Sequence, residues 1–496
     1  MMRILEWERL SAADQAAALA RPTQESRADI ASVASEVINT VRRDGDAALY
    51  SYTERFDSVR LDSLAVCADE FAQARKVLTP PQLAALETAI ANVQKFHAEQ
   101  LPKPLSVETS PGVRCERIVR AIATVGLYVP AGSAPLPSAV IMLAIPARIA
   151  GCPNRILCTP PAKNGKANPA VLVAAQMCGI ETVFKVGGAQ AIAALAYGTQ
   201  TIPKADKIFG PGNAYVTAAK QLVAADPAGA ACDMPAGPSE VMVVADGNAN
   251  AEFVASDLLA QAEHDTQAQA ILVTSSRQLA EAVSAEVQKQ TQLLSRRAIL
   301  QESLATSRCI VVRDIEAAID VANRYAAEHL ILEVEQPRQW LPRIQNAGSV
   351  FLGAWSPEPM GDYCSGTNHV LPTYGYARAY SGLSVLDFVK GITVQELTPS
   401  GLLGLGPVAV ELARLEGLDA HASAVSRRLD VLNAGVPPNG GETAGAGVTT
   451  NAGATTNAGA TANAGATAGA GATANAGATA GAGATANAGA GIGAQS

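Results

Sequence analysis

Four of the five histidines in this 496-residue chain fall between positions 261 and 421, each beside an acid or an amide. Gln261 and Glu263 precede His264, Glu328 adjoins His329, Asp362 shares a polar stretch with His369, and Glu416 and Asp419 lead to His421. Imidazole is the side chain that both ligates metals and moves protons near neutral pH. A chain so poor in histidine that sets four of them beside oxygen donors points to a metal or acid–base centre.

Taken singly, each pairing has a second reading. Gln261 and His264 lie three apart on a helix expected over 253–264, so they share a face, with Asp257 one turn earlier. Zinc takes imidazole and carboxylate readily and an amide oxygen weakly, and a Gln-x-x-His pair also suits a solvated surface. Glu328 and His329 are expected where a helix over 315–328 gives way to a strand. There they could act as base and acid, or His329 could simply complement a helix C-terminus. The stretch 359–372 reads as a long polar loop, a composition suited to ligand binding, and it carries Asp362 and His369. The 416–421 segment reads either as part of the site or as an exposed helix end. His97 has no such pattern around it and reads as a surface or packing residue.

The elements that must position these groups follow from the apolar pattern. Residues 1–105 read as mainly helical, with helical spacing over 30–50 and 81–101. From 106 to 239, β-rich runs at 123–129, 155–159, 182–186 and 207–209 alternate with helices. From 240 to 383 the alternation resumes, with strands at 240–245, 271–274, 309–312, 330–334 and 349–352 and a last helix at 337–346. Repeated βα units imply an α/β protein of two Rossmann-like, doubly wound parallel-sheet units with smaller helical N- and C-terminal segments. Residues 384–434 form the C-terminal segment. Neither unit carries G-x-G-x-x-G after its first strand, so the loops alone give no dinucleotide. Gly210-Pro-Gly212-Asn213 at a strand-to-helix turn suits an anion at a helix N-terminus, and equally a plain tight turn.

Composition removes other classes. Residues 435–496 are almost wholly Ala, Gly, Thr and Asn with Glu442 as the single charge, and a six-residue unit recurs from Asn451 to Ala486. That stretch has no side chains to bury and is expected to be a disordered appendage. A net charge of −8 without a basic run argues against nucleic acid and anionic membrane as partners. The start of the chain does not read as a signal peptide, and the longest apolar stretch, 139–150, is interrupted by Pro146 and Arg148. Eight cysteines with no C-x-x-C pair suggest reduced thiols and a cytoplasmic protein.

Together these segments resemble the histidinol dehydrogenase family. The resemblance spans 1–434 and is carried by 125–132, 185–192, 209–216, 233–240, 257–265, 325–330, 366–372 and 415–421, among them Phe209-Gly-Pro-Gly-Asn213 and Gly366-Thr-Asn-His369. Ala131, where glycine is expected, and Asp265, after His264, are small departures. The resemblance implies oxidation of L-histidinol to L-histidine with two NAD+ through an enzyme-held aldehyde, the final steps of histidine biosynthesis. It implies Zn2+ held by Gln261, His264, Asp362 and His421, and an acid–base pair of Glu328 and His329. Ser239, His369 and Glu416 would contact substrate together with the zinc ligands and His329, and Tyr128, Gln190 and Asn213 would contact NAD+. It also implies a homodimer in which Glu416 and His421 complete the partner subunit's site. A zinc hydrolase, a dehydrogenase of another amino alcohol and a metal-binding scaffold are the alternative readings.

Overall fold

The computed structural model describes residues 2–22, 27–131, 135–235 and 237–435. Gly132 and Ala236 of the quoted segments, and the repeat beyond 435 that was expected to be disordered, lie outside the described residues. The chain divides into two compact units, one of Met1–Lys103 with Val119–Gly391 and one of Pro104–Ile118 with Ile392–Ser496.

In chain order the strands are β1 (Arg3–Glu6), β2 (Leu105–Ser110), β3 (Val113–Ala121), β4 (Thr124–Tyr128), β5 (Asn154–Thr159), β6 (Thr182–Lys185) and β7 (Lys207–Phe209). They continue with β8 (Ala231–Cys232), β9 (Glu240–Ala245), β10 (Gln269–Thr274), β11 (Arg308–Val311), β12 (His329–Glu333), β13 (Ser349–Leu352) and β14 (Val389–Leu397). The first unit holds two parallel sheets, ordered β6-β5-β4-β7-β8 and β1-β11-β10-β9-β12-β13. Both are apolar on each face, as parallel sheets covered by helices on both sides must be. Along β5, Leu157 enters one core while Ile156 and Cys158 enter the other. Along β9, Val241, Val243 and Ala245 face one core, and Met242 and Val244 the other. The doubly wound α/β architecture expected from the sequence is what forms.

Each sheet reverses its direction of growth once. From β4 the chain adds β5 and β6 on one side and returns with β7 on the other. From β9 it adds β10 and β11, then returns with β12 and β13. Crevices therefore open between β4 and β7 and between β9 and β12. The apolar stretch 139–150 becomes the helix Pro137–Ile149, with residues 139–147 all buried inside the protein. Among the described residues no helix is long and apolar enough to cross a membrane.

Several local expectations are corrected. The N-terminal region opens with a strand, β1. The helix expected over 315–328 ends at Tyr325, because Ala326 adopts a left-handed conformation at φ 59°. The helix expected at 337–346 is a 3-10 turn at Pro337–Arg343. A helix Arg297–Thr306, absent from the sequence reading, packs beside β10. The stretch 359–372 is not all loop, since it starts within the helix Glu358–Tyr363.

In the second unit β2 and β3 pair antiparallel, and β14 lies on the other side of β3. Helices Pro399–Leu415 and Asp419–Asn433 pack together through Val410, Ala413 and Ala422. The first of them exposes Leu403, Leu405, Val408, Leu412 and Leu415.

Gly210, immediately after β7, has φ +125°, and a Cβ there would collide with the Tyr128 carbonyl oxygen. Its N–H donates to Asp233 Oδ2 at 2.7 Å and its carbonyl accepts from Lys220 Nζ at 2.6 Å, so the turn cannot relax away. Gly210→Ala should cost about 2–3 kcal/mol in denaturant unfolding. Gly404→Ala, where an added Cβ meets nothing within 4 Å, should instead stabilise its helix by about 0.5–1 kcal/mol. Equal effects at the two positions would contradict this account.

Candidate active site

The Glu328–His329 dipeptide stands at the amino-terminal edge of the second sheet. His329 opens β12, paired in register with Val241 of β9 and Ser349 of β13. Glu328 precedes it at a bend, three residues past the helix that ends at Tyr325, so the alternative role of complementing a helix C-terminus falls away. Both residues are buried, at 6% exposure for Glu328 and 3% for His329.

The helix Ala251–Ala262 is capped by Asn250, whose Oδ1 accepts from Glu252 N and Phe253 N. Its last turn carries Gln261 onto the His329 ring. Gln261 Oε1 lies 2.7 Å from His329 Nδ1, and the Glu240 carbonyl lies 3.3 Å from the same nitrogen. Both partners are acceptors, so Nδ1 carries the proton and Nε2 faces the site. His329 Nε2 makes no hydrogen bond and stands 3.5 Å from Asp362 Oδ1 and 4.0 Å from Glu358 Oε1. Glu328 Oε2 accepts from Glu240 N at 2.8 Å and lies 3.7 Å from His329 Nδ1.

Three carboxyl groups thus crowd one imidazole. Burial opposes the imidazolium, but Glu328, Asp362 and Glu358 outweigh it and raise His329 to about 10. Burial pushes Glu328 up to about 8, with His329 pulling the other way. Glu358 is raised by burial and by its neighbour Asp362. Asp362 is held below the usual carboxylate range: burial alone would raise it, but the neighbouring His329 and His369 imidazoles prevail.

His264 sits in the turn just past the helix, its N–H bonded to Gln261 O at 3.2 Å. One donor atom each from His264, Glu358 and Asp362 falls within 4.8 Å of the others. Glu358 Oε1, Asp362 Oδ1 and His369 Nε2 are all buried without a hydrogen-bond partner. Buried polar atoms left unpaired are costly, and this concentration of nitrogen and carboxylate donors fits a zinc ion.

His369 is held by its neighbour. Asn368 Nδ2 donates to Met142 O at 2.8 Å and approaches His97 Nε2 at 3.2 Å, while Asn368 Oδ1 accepts from Val370 N. His97 is fully buried, with Nδ1 2.9 Å from Val93 O, which makes it a packing residue. Ser239 is half-buried immediately before β9. Asp257, on the face of Gln261, is also buried, and burial raises its carboxyl to about 7, with Glu333 adding to the shift. Glu416 and His421 belong to the second unit, at the end of one helix and the first turn of the next, and both are exposed.

The remaining candidates lie at or just beyond the carboxyl ends of β4, β6 and β7 in the first sheet. Tyr128 ends β4 and is buried, its hydroxyl accepting from Gly188 N at 3.0 Å. Gln190, in the helix after β6, is buried with Oε1 unpaired. Asn213 follows β7 and caps the next helix, Oδ1 accepting from Tyr215 N and Val216 N. The side chain itself therefore takes the first-turn amides that an anion would have used.

Sequence reasoning missed four groups: Glu358, the Arg21–Glu240 pair, the Lys220–Asp233 pair and the bond between His97 and Asn368. For Glu358 a signal was there, since it stands four residues before Asp362 at helical spacing. Pro359 and Gly361 made the stretch read as loop.

The histidinol dehydrogenase family model matches residues 19–429. Histidinol dehydrogenase of Xanthomonas oryzae pv. oryzae is 53% identical over 430 residues, covering 87% of this chain and 100% of its own length. That of Vibrio vulnificus is 52% identical over 433 residues, with the same coverage. The crystal structure of histidinol dehydrogenase from Elizabethkingia anophelis superposes with TM-score 0.83 at 46% identity, over 87% of this chain and 99% of that one. With matches this long and this similar, the chain belongs to the histidinol dehydrogenase family and is an NAD-dependent oxidoreductase.

Proposed function

We propose that the chain oxidises L-histidinol to L-histidine in two steps through the aldehyde, consuming two NAD+, as the closing steps of cytoplasmic histidine biosynthesis. One observation carries this reading: a buried imidazole with its Nδ1 proton committed to Gln261 turns a free Nε2 towards a cluster of unpaired metal donors. A base and a cation site sharing one small space suit an alcohol that must be held and deprotonated together.

Gln261, His264 and Asp362 would hold Zn2+ with the partner subunit's His421. Bound zinc would supply positive charge that anchors the imidazole and amine of histidinol and offsets the carboxylates that raise His329. NAD+ would be the hydride acceptor, set against Tyr128, Gln190 and Asn213 at the first sheet's crevice. His329 Nε2 takes the alcohol proton as the carbinol hydrogen departs. Glu328 then takes a proton from water as it adds to the aldehyde. Ser239, His369 and the partner subunit's Glu416 would orient the substrate. The exposed leucines of Pro399–Leu415 form an apolar face of the kind that pairs with another subunit, which supports the homodimer.

A coupled assay should yield two reduced nicotinamides per histidinol, and a chelator should abolish turnover until zinc is restored. Cleavage of an amide or ester of histidinol to free histidinol and the acid, with no nicotinamide reduction, would favour a hydrolase.

Glu328→Gln should slow aldehyde oxidation by about 10²–10⁴-fold while sparing alcohol oxidation, whereas His329→Asn should impair the alcohol step as well. Glu328 works only when ionised, and burial has raised it to about 8, so aldehyde oxidation should speed up as pH rises toward that value. Bound zinc moves the limb lower, never higher. Single-turnover rates showing equal losses for both variants, or an aldehyde step that slows from pH ~6 to ~8, would refute the division of roles.

Leu405→Asp with Leu412→Asp should give a folded monomer lacking activity, read by light scattering beside the assay. A fully active monomer would exclude shared active sites.

A further inference from the structure

Arg21 and Glu240 form a buried ion pair between residues 219 positions apart, with side-chain exposures of 13% and 3%. The guanidinium grips the carboxylate with two nitrogens: Nε meets Oε1, and Nη2 meets Oε2 at 2.9 Å. Nη2 also donates to Tyr325 O at 2.9 Å and reaches Ala326 O at 3.4 Å, while the guanidinium carbon lies 4.0 Å from the Tyr325 ring centroid. These carbonyls belong to the left-handed turn that ends the helix Ile315–Tyr325, two residues before Glu328.

The other end of the pair reaches the same dipeptide. Glu240 N donates to Glu328 Oε2 at 2.8 Å, and Glu240 O lies 3.3 Å from His329 Nδ1. The Glu240 carboxylate further accepts from Tyr374 N at 3.0 Å. Arg21 therefore reaches the Glu328–His329 pair indirectly, through its neighbours, from two directions. It holds the turn that leads into Glu328, and it anchors the residue whose backbone contacts both Glu328 and His329.

We propose that Arg21 is a positioning residue for the Glu328–His329 pair. A planar fork is needed, because one cation must serve a carboxylate and two carbonyls at fixed angles. A lysine would keep the charge and lose that geometry. The proposal rests on the reading of Glu328 and His329 as the acid–base pair, and its test separates the two.

Arg21→Lys and Arg21→Ala are compared with wild type for kcat, KM for NAD+, zinc content and thermal melting, with Glu328→Gln assayed alongside. The expected result is a kcat at least about tenfold lower for Arg21→Lys, with KM for NAD+ and zinc content unchanged. For Arg21→Ala, millimolar guanidinium should restore part of kcat. Wild-type kcat in Arg21→Lys overturns the proposal. So does a loss that follows zinc content or melting temperature and is not relieved by guanidinium, as does failure of both variants to fold, since the pair is then structural. If Glu328→Gln keeps the wild-type rate, the underlying acid–base reading fails. If that variant is crippled while Arg21→Lys is unaffected, the positioning role alone fails.

Discussion

His329 is where the structure has to be balanced. A buried imidazole with Glu328, Glu358 and Asp362 around it gathers more negative charge than one proton can offset, and burying unpaired charge costs several kcal/mol per ion. Protons shared among these groups, or a cation among them, relieve the imbalance. The raised Glu328 and His329 and the lowered Asp362 describe the first solution. The unpaired oxygens and nitrogens facing one another invite the second. Gln261 decides which nitrogen of the ring takes part, because its carbonyl oxygen pins the proton to Nδ1.

The two parallel sheets work from opposite edges. In the first sheet, Tyr128 and Asn213 stand at the carboxyl ends of β4 and β7, where the order of strands reverses and ligands of open α/β sheets bind. In the second sheet, Glu240, Glu328 and His329 stand at the amino ends of β9 and β12. On the proposed assignment a single sheet could not supply both, since its cofactor crevice and its acid–base residues would point away from each other. This gives a physical use for two doubly wound lobes within one compact unit, which a hydrolase would not need.

Much of this was legible in the sequence, and the reasons are local. Runs such as 241–245 and 270–273 are apolar at every position and suit strands covered on both sides. Histidines beside acids announced the site because histidine is scarce. What escaped depends on distance or disguise. β1 is a short edge strand whose Arg3 and Glu6 hid its pairing with β11. Ala326 ends its helix in a conformation that alanine seldom adopts, so no residue type marked the stop. Glu358 and Asp362 share a helix face through Pro359 and Gly361, which ordinarily signal a turn. Arg21 contacts Glu240 across 219 positions, and no spacing rule links them.

The supports that escaped notice share a design. The turn at Gly210 is fixed by Lys220 and Asp233, the stretch around His369 by Asn368 with His97, and the Glu328–His329 dipeptide by Arg21 with Glu240. Each is a buried polar contact from a distant element rather than another apolar one. Apolar packing fills volume and tolerates small rotations, whereas hydrogen bonds at fixed angles set orientation. A site that must aim a carbinol hydrogen at a cofactor is sensitive to errors of an ångström, so orientation is the quantity worth fixing. Leaving such a group unpaired inside the protein would be costly, so each support holds only while all its partners are in place. That condition ties the placement of the site to the folding of the elements around it.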